Sequence, residues 1–305
     1  MDRIILIDAY GQIYRSFFAV PRLTNPKGEP VNALYGMVRF LLNLEETLEG
    51  KFGAAAFDLG KCQRRCELLP EYKAQRPPMP DDLRRQIEPI KVWLQALGWP
   101  LLLEEGREAD DLIAAVVARR ENLPVAIISY DKDLSQLIDE KVEIITPEKK
   151  GQWSSCNRET VTQKFGIGPE LVTDYLALVG DSSDNIPGLP GVGPKTASKL
   201  LQQFGGLEEI YRNLSQVTPL SLQEKLSTSR ELLQRNRELV RLDSTLPAGW
   251  QGLDSLRRRE PDWALLCRLA AEQGFQSILN TLNTLQKKAK TRQAQSGGSE
   301  QLLLF

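Results

Sequence analysis

The sequence predicts an α/β protein with a largely parallel central sheet flanked by helices, followed by a C-terminal helical subdomain. Short apolar runs rich in β-branched residues alternate with longer stretches of helical spacing in the first half of the chain. This strand signal stops near Leu171, and helical spacing then continues to about Leu285. Strands that alternate with helices are typical of parallel sheets with both faces covered.

Five runs are predicted to be strands. They are Ile4–Ile7, Ala54–Phe57, Leu101–Leu103, Val125–Ile128 and Val142–Ile145. Between them lie the helical candidates Ala33–Leu48, Asp82–Leu97, Ala109–Arg120 and Leu134–Ile138. We place an α/β domain at residues 1–170 and a helical subdomain at 171–285. Residues 286–300, QKKAKTRQAQSGGSE, have almost no apolar content, so residues 286–305 are predicted to be a flexible tail with an apolar end.

Composition excludes several kinds of chemistry. With 39 basic and 40 acidic side chains the net charge is −1, so any nucleic-acid binding must come from local patches. The chain has no histidine, which excludes Ser-His-Asp and Cys-His catalysis. Its four scattered cysteines lack the further ligands that a zinc site requires. No apolar run reaches the roughly 18 residues of a membrane span, and we expect a cytoplasmic protein.

Acidic side chains follow four of the five predicted strands. They are Asp8; Asp58; Glu104 and Glu105, with Glu108, Asp110 and Asp111 at the next helix start; and Asp131 and Asp133. Each alone has a structural explanation, such as a first-turn charge for Asp110 or an N-cap for Asp133. Because the carboxyl ends of parallel strands meet at one sheet edge, however, these acids converge and repel one another unless cations neutralise them. All-oxygen ligation favours Mg²⁺ or Mn²⁺, and two such ions can activate water for phosphodiester hydrolysis without an imidazole.

Seven segments of the chain match a known family in order. They are Leu6–Asp8, Tyr14–Phe18, Phe57–Asp58, Glu71–Pro80, Glu108–Asp111, Asp131–Leu134 and Gly180–Gly188. Through them the chain resembles the 5′ nuclease domain of bacterial DNA polymerase I and, more distantly, the flap endonucleases. The resemblance implies a PIN-like 5′ nuclease fold and a stand-alone 5′–3′ exonuclease and flap endonuclease of DNA replication and repair. It also implies two groups of metal ligands: Asp8, Asp58, Glu108, Asp110 and Asp111 for one, and Asp131, Asp133, Asp181 and Asp184 for the other.

The resemblance also assigns roles to basic residues. Lys73 and Arg76 match a pair that holds the scissile phosphate, with solvated surface cations as the alternative reading. A helical arch is implied from residue 73 to about 92. The residues that would line its passage for a single-stranded 5′ end are Arg84, Arg85 and Lys91. Arg64 is a departure, since relatives commonly carry an aromatic residue there.

The segment Gly188–Thr196, GLPGVGPKT, is predicted to form a helix-hairpin-helix. Gly191 and Gly193 flank the tight turn, and the following proline takes the first helical position. Backbone N–H groups at the helix start, together with Lys195 and Lys199, can bind a DNA phosphate without reading the bases. A purely structural glycine turn is the alternative. In the family this hairpin grips the duplex, in some members with a monovalent cation such as K⁺ at the turn carbonyls.

The last five residues, QLLLF, resemble the pentapeptide QL[SD]LF by which bacterial replication and repair proteins dock on the β sliding clamp. Gln301, Leu302, Leu304 and Phe305 match it, and Leu303 departs. An apolar end that folds back on its own protein is the alternative. We expect a monomer that acts on DNA with 5′ flaps or 5′ ends at junctions of single and double strands. Two rivals stay open, a noncatalytic structure-specific DNA-binding protein and an RNase of the PIN type.

Overall fold

The computed structural model describes residues 2–148 and 152–300, with side chains as far as residue 291. Its strands are β1 Ile4–Asp8, β2 Phe52–Ala56, β3 Leu101–Leu102, β4 Val125–Ile128, β5 Val142–Pro147, β6 Trp153–Cys156, β7 Gly180–Asp181 and β8 Ile186–Pro187. The first six form one sheet in the order β3-β2-β1-β4-β5-β6. Since β1 pairs in parallel with β2 and β4, and β4 with β5, the largely parallel sheet is confirmed.

The strands of the six-stranded sheet lie where the apolar runs predict them, with one addition. The run at Ile4–Ile7 forms β1, whose apolar residues are fully buried, as expected of a strand covered on both faces. Strand β6 was not predicted, because its sequence WSSC contains no apolar run. It pairs antiparallel with β5 at the edge of the sheet, so pairing with β5 rather than burial accounts for it.

The helices cover most of the remaining chain. They are α1 Ala9–Ala19, α2 Asn32–Thr47, α3 Gln63–Leu68, α4 Asp81–Ala96, α5 Ala109–Val117, α6 Arg158–Phe165, α7 Val172–Val179, α8 Pro194–Phe204, α9 Leu207–Arg212, α10 Leu220–Thr228, α11 Arg230–Val240, α12 Trp263–Glu272 and α13 Gln276–Glu300. The short helix predicted after β4 is a 3₁₀ helix, Asp133–Leu137. In the part predicted to be all helical, β7 and β8 pair as a small antiparallel ladder.

One compact unit comprises Met1–Gly11, Gly50–Pro78 and Leu102–Leu256. It contains most of the sheet and helices α5 to α11. A single hydrophobic cluster runs through it, from Ile4 of β1 and Leu112 of α5 to Leu176, Leu201 and Leu233 of the later helices. The sheet and the helices that follow it therefore share one core.

The second compact unit comprises Gln12–Glu49, Met79–Leu101 and the chain from Arg257 onward. Within it, α4 packs against α2 and α12, and α12 packs against α13. The indole of Trp99 donates a hydrogen bond to Glu45 Oε1 at 2.8 Å, and the Arg258 guanidinium lies 4.0 Å from the centre of its ring. Discontinuous segments of the sequence therefore build this unit.

The C-terminal helix departs from the sequence prediction. α13 runs from Gln276 to Glu300, although residues 286–300 were predicted to be a flexible linker. The glutamine, lysine, alanine and arginine residues that dominate its later part are strong helix formers even without an apolar face. The predicted clamp motif at 301–305 lies outside the described residues. Among the residues described, no helix has the combination of length and apolar composition needed to cross a membrane.

Candidate metal centre

The carboxyl ends of the central strands bring the first acids together. Asp8 ends β1, Asp58 follows β2 by two positions, and Ser129 directly follows β4. Asp8 Oδ2 accepts a hydrogen bond from Ser129 Oγ at 2.7 Å. Asp58 Oδ1 accepts one from the backbone N–H of Ala109, at the start of α5, at 2.7 Å. The parallel pairing of β1 with both neighbours therefore places these acids at one edge of the sheet, as predicted.

Three further acids lie at the start of α5. Glu108 precedes the helix, and Asp110 and Asp111 occupy its first turn, where the helix dipole favours negative charge. The side chain of Arg65, from α3, binds them and is only 2% exposed. Its two terminal nitrogens donate to the two oxygens of Asp111, each at 2.8 Å, and one of them also donates to Glu108 Oε2. Asp110 lies farther away, 3.8 Å from Arg65 Nη1.

A second group of acids comes from two separate segments. Asp131 and Asp133 follow β4, and Asp131 Oδ1 accepts the backbone N–H of Asp133 at 2.9 Å. Asp181 ends β7, just before the turn to β8, and accepts hydrogen bonds from the N–H of Ser183 at 2.8 Å and from its Oγ at 2.5 Å. Lys132 Nζ lies 3.0 Å from Asp181 Oδ2. This ion pair joins the segment after β4 to the turn that also carries Asp184.

The predicted basic pair lies among these carboxylates. Lys73 Nζ donates to Glu108 Oε1 at 2.5 Å and is 3.7 Å from Asp184 Oδ2, so it contacts both groups of acids. Arg76 Nη2 donates to Asp184 Oδ1 at 2.5 Å. The Tyr72 hydroxyl bonds to Asp184 Oδ2 at 2.9 Å and to Glu108 Oε2 at 3.0 Å. Lys73, whose side chain is 23% exposed, is therefore not a solvated surface cation.

Five acids have no lysine or arginine in hydrogen-bond contact in the described part of the chain. They are Asp8, Asp58, Asp110, Asp131 and Asp133. Burial raises the pKa of Asp8 to about 6. Burial, together with the charges of Asp131, Asp181 and Asp184, raises the pKa of Asp133 to about 8. Burial also raises the pKa of Asp58, of Asp131 and, most strongly, of Asp110.

The acids that do contact a cation behave in the opposite way. Burial acts against ionisation of Glu108, but Lys73 and Arg65 outweigh it and lower the pKa of this carboxyl. Burial likewise acts against ionisation of Asp181, and hydrogen bonds from Ser183 and Lys132 lower its pKa. Positive charge is therefore missing at the five acids that lack a cation partner.

The donor set fits hard divalent cations. Asp133 Oδ1 is buried without a hydrogen-bond partner among the described residues. A buried, unpaired carboxylate oxygen is costly unless a cation satisfies it. Carboxylate oxygens are the ligands of Mg²⁺ and Mn²⁺, whereas softer metals prefer sulfur or imidazole. The five acids can therefore bind such ions, and Glu108, Asp181 and Asp184 are available as further ligands.

Sequence reasoning gave no role to several residues that build this site. Arg65 and Tyr72 bind the acids from segments distant in sequence, and although Tyr72 lies within the matched segment Glu71–Pro80, neither was given a role. Lys132 lies between the predicted ligands Asp131 and Asp133 but was given no role. Glu104, which also follows a predicted strand, instead pairs with Arg107 at 3.2 Å and accepts the N–H of Ala248 at 2.8 Å.

The predicted hairpin has the expected geometry. Helices α7 and α8 pack together on either side of it, and α8 begins at Pro194. Gly191 has φ +81°, a conformation that favours glycine. Lys195 and Lys199 are exposed along the first turns of α8. Lys225 adds a cation here, since its Nζ donates to the carbonyl of Pro190 at 3.2 Å.

The segment predicted to form the arch is partly helical. Residues 73–80 have an irregular backbone, and α4 begins at Asp81. One face of α4 is buried within the second compact unit through Leu83, Ile90 and Trp93. Arg84 and Arg85 are exposed, with Arg84 Nη1 3.3 Å from Asp81. Lys91 pairs with Glu88 at 2.7 Å.

Two family models match nearly the whole chain. Residues 3–166 match the 5′–3′ exonuclease N-terminal resolvase-like domain, and residues 167–264 match the 5′–3′ exonuclease C-terminal SAM fold. A 5′–3′ exonuclease of Aquifex aeolicus is 36% identical over 294 residues, covering 96% of this chain and 99% of that protein. DNA polymerase I of Pseudomonas aeruginosa is 39% identical over 295 residues, 94% of this chain. The chain spans only 32% of the length of that polymerase.

Solved structures share the fold. The 5′-exonuclease of bacteriophage T5 with bound zinc matches with a TM-score of 0.66 at 24% identity, covering 92% of this chain and 97% of that one. The T5 flap endonuclease in a pseudo-enzyme-product complex with DNA and metal ions matches with a TM-score of 0.63 at 23% identity, covering 94% and 99% of the two chains. At these identities the comparison establishes a common architecture.

Proposed function

Because this chain belongs to the 5′–3′ exonuclease family, we propose that it is a divalent-cation-dependent nuclease that cleaves DNA at 5′ ends and 5′ flaps. The observation that carries the proposal is the set of five acids that accept no hydrogen bond from a lysine or arginine of the described residues, next to Lys73 and Arg76. The T5 enzyme of the same fold is described in a complex with DNA and metal ions, which supports both the substrate and the cofactor.

The chemistry requires little from the chain beyond positioning and charge. Two hard divalent cations bound by the acids, Mg²⁺ in our proposal, would supply the Lewis acidity needed to activate water and to offset charge on the leaving oxygen. Asp8, Asp58, Glu108, Asp110 and Asp111 would hold one ion, and Asp131, Asp133, Asp181 and Asp184 the other. Lys73 and Arg76 then exchange their contacts with Glu108 and Asp184 for the scissile phosphate, whose developing charge they stabilise.

DNA binding is assigned to the hairpin. The exposed lysines Lys195 and Lys199 and the free N–H groups at the start of α8 suit a phosphate of the duplex backbone. Such contacts select the shape of a junction and not its sequence. Lys225 already donates to a turn carbonyl, so in this chain an ammonium group takes part of the role that K⁺ has in some relatives. A cleavage rate that is equal in Na⁺ and in K⁺ buffers would support that assignment.

Cleavage of a labelled 5′-flap substrate tests the proposal. Wild-type protein should cleave the flap with Mg²⁺ and not with EDTA, and Asp131→Asn should bind the flap while losing turnover. Binding without metal-dependent cleavage would instead identify a noncatalytic DNA-binding protein. Faster cleavage of an RNA flap than of the matched DNA flap would favour the RNase alternative.

Recruitment through the tail is a separate proposal. Residues 301–305, outside the described part of the chain, match four of the five positions of the clamp-binding pentapeptide. A tether that ends in apolar anchors keeps an enzyme near its DNA at high effective concentration. Removing these five residues should abolish capture by the immobilised bacterial β clamp and leave cleavage by the free enzyme unchanged. Clamp capture that survives the truncation would refute this role.

A further inference from the structure

Arg65 is the most completely buried cation near the site, and every donor group of its side chain is used. It is 1% exposed. Its Nε donates to the carbonyl of Leu239 at 3.0 Å, and its two terminal nitrogens donate to Asp111 and Glu108. Burying a guanidinium is costly unless its donors and charge are satisfied, and two carboxylates and a carbonyl satisfy them here. The guanidinium of Arg65 is therefore held in one well-defined position.

Asp111 is held from two sides. Its two oxygens accept the parallel hydrogen bonds of Arg65, and Oδ1 also accepts the backbone N–H of Asp243 at 2.8 Å. Its side chain is 3% exposed. Asp110 differs, since its one hydrogen bond is from the adjacent N–H of Asp111 at 2.7 Å and its side chain is 20% exposed. Of the two neighbouring acids, only Asp110 presents free oxygens.

The opposite side of Arg65 contacts the carboxyl end of α11. Arg64 donates to the carbonyls of Glu238 at 3.0 Å and Arg241 at 3.1 Å, and Gln136 donates to that of Val240 at 3.1 Å. These carbonyls have no partner within the helix, and cations are favoured at this end of a helix dipole. Arg64, which departs from the family pattern, is therefore used as a helix cap.

Helix α11 also contacts the segment that leads into the hairpin. Asn236, fully buried, donates to the carbonyls of Ala177 at 3.1 Å and Pro187 at 2.6 Å. Pro187 ends β8, four residues before the hairpin glycine Gly191. A continuous set of hydrogen bonds thus runs from the hairpin segment through α11 and Arg65 to the acids of α5.

We propose that Arg65 is a positioning residue for the nuclease reaction, that it holds Asp111 as a structural anchor and not as a metal ligand, and that it orients Glu108 through the same guanidinium. The part that concerns catalysis rests on the proposed function. The fixed fork of Arg65 sets the position of the first turn of α5, and so of Glu108 and Asp110, relative to the helices that bind DNA. The ligand set of the first ion is then Asp8, Asp58, Glu108 and Asp110.

Comparing Asp110→Asn with Asp111→Asn tests whether Asp111 is a structural anchor and not a metal ligand. In EDTA at pH 8, Asp110→Asn should change the melting temperature little, because the Asp110 side chain is 20% exposed and accepts one hydrogen bond. Asp111→Asn should lower it by at least about 5 °C, because it leaves a buried guanidinium mispaired. In calorimetric titrations with Mn²⁺, Asp110→Asn should lose affinity by at least about tenfold more than Asp111→Asn, since only Asp110 is a ligand. Equal losses of melting temperature, or equal losses of Mn²⁺ affinity, would overturn the anchor role.

Arg65→Lys and Arg64→Lys form a matched pair that tests positioning. Lysine keeps the charge but cannot make the fork, so Arg65→Lys should slow single-turnover flap cleavage at saturating Mg²⁺ by about 100-fold. The dissociation constant for the flap in Ca²⁺ should stay within about threefold, because Arg65 does not reach the DNA-binding surface. Arg64→Lys, which contacts carbonyls and no carboxylate, should cleave within about threefold of wild type.

Guanidinium ion separates positioning from simple loss of stability. Arg65→Ala, confirmed as folded by circular dichroism, should recover at least about tenfold in rate with millimolar guanidinium and not with equal NaCl or urea. If Arg65→Ala does not fold, Arg65→Lys decides alone. Wild-type rates for Arg65→Lys, or equal losses of cleavage and binding, would overturn the positioning role. If wild-type protein fails to cleave the flap, the proposed function fails, whereas the melting and Mn²⁺ experiments still decide the role of Asp111.

Discussion

Replacing Asp133 with asparagine should stabilise the metal-free protein, by an amount that grows as the pH rises. Asp133 is 9% exposed, its Oδ1 has no hydrogen-bond partner among the described residues, and Asp131, Asp181 and Asp184 surround it with negative charge. These surroundings raise its pKa from 3.8 to about 8. Asparagine has nearly the shape of the protonated acid and cannot ionise, so it removes the repulsion at every pH.

The direction of the change in stability with pH follows from the number of protons bound by the folded and the unfolded chain. Between pH 3.8 and about 8 the folded protein holds a proton at Asp133 that the unfolded chain has released. Stability therefore falls as the pH rises through this window, by up to about 1.4 kcal/mol for each pH unit. From pH 5 to pH 8 the penalty in wild type grows by on the order of 3 kcal/mol. In a protein of this size that corresponds to roughly 6 °C in melting temperature.

The assay is thermal melting in EDTA at pH 5, 6, 7 and 8. The difference in melting temperature between Asp133→Asn and wild type should widen steadily over this range, and Mg²⁺ should stabilise wild type far more than the variant at pH 8. Asp81→Asn, at an acid that is 79% exposed, is the control and should show a constant difference. A difference for Asp133→Asn that stays constant from pH 5 to pH 8 would refute the uncompensated charge on which the metal centre depends.

Three further predictions test other parts of the molecule. Lys73→Ala should reduce single-turnover flap cleavage by about 100-fold while flap binding in Ca²⁺ changes little, and a proportional loss of binding would contradict its role at the scissile phosphate. Lys195→Ala should weaken duplex binding for every sequence and reduce the slope of log K against log salt by about 1, whereas an unchanged slope would exclude a phosphate contact. Leu233→Ala, at a fully buried position of the shared core, should destabilise the protein by about 2–5 kcal/mol in urea denaturation, and a cost below about 1 kcal/mol would show that α11 is not part of that core.

The fold was predictable where one local signal decides the structure. The apolar run that forms β1 needs no partner to be recognised, because a strand buried on both faces must be apolar throughout. Strand β6 has no such signal, since its polar residues are held by pairing with β5. The later part of α13 was predicted to be a linker from its low apolar content, but lysine, glutamine, alanine and arginine at 286–295 favour a helix, whereas residues 296–299, SGGS, do not.

The residues of the candidate site were likewise predictable only where a local signal in the sequence marks them. Asp8 and Asp131 could be found from the sequence because each comes just after a recognisable strand, and parallel pairing then brings them together. Arg65 could not, since its partners Glu108 and Leu239 lie 43 and 174 residues away. In the sequence, the short polar helix α3 with its two arginines looks like a solvent-exposed segment. Only the tertiary structure shows that carboxylates contact Arg65. The sequence therefore predicted the acids, and only the structure distinguished those that face a cation of the chain.

The contrast between acids that contact a cation of the chain and acids that do not explains how the site can be stable in the folded protein and still bind metal ions. Four cations of the chain, Arg65, Lys73, Arg76 and Lys132, contact four of the acids, Glu108, Asp111, Asp181 and Asp184. Arg65 is inaccessible at 1% exposure, whereas Lys73 and Arg76 are accessible enough to exchange a carboxylate for a phosphate. The remaining five acids resist ionisation because burial raises the pKa of each, and bound divalent cations would favour their ionised form. Under the proposed function, metal binding would therefore ionise these acids, and the bound cations would offset the charge of a phosphate that approaches Lys73.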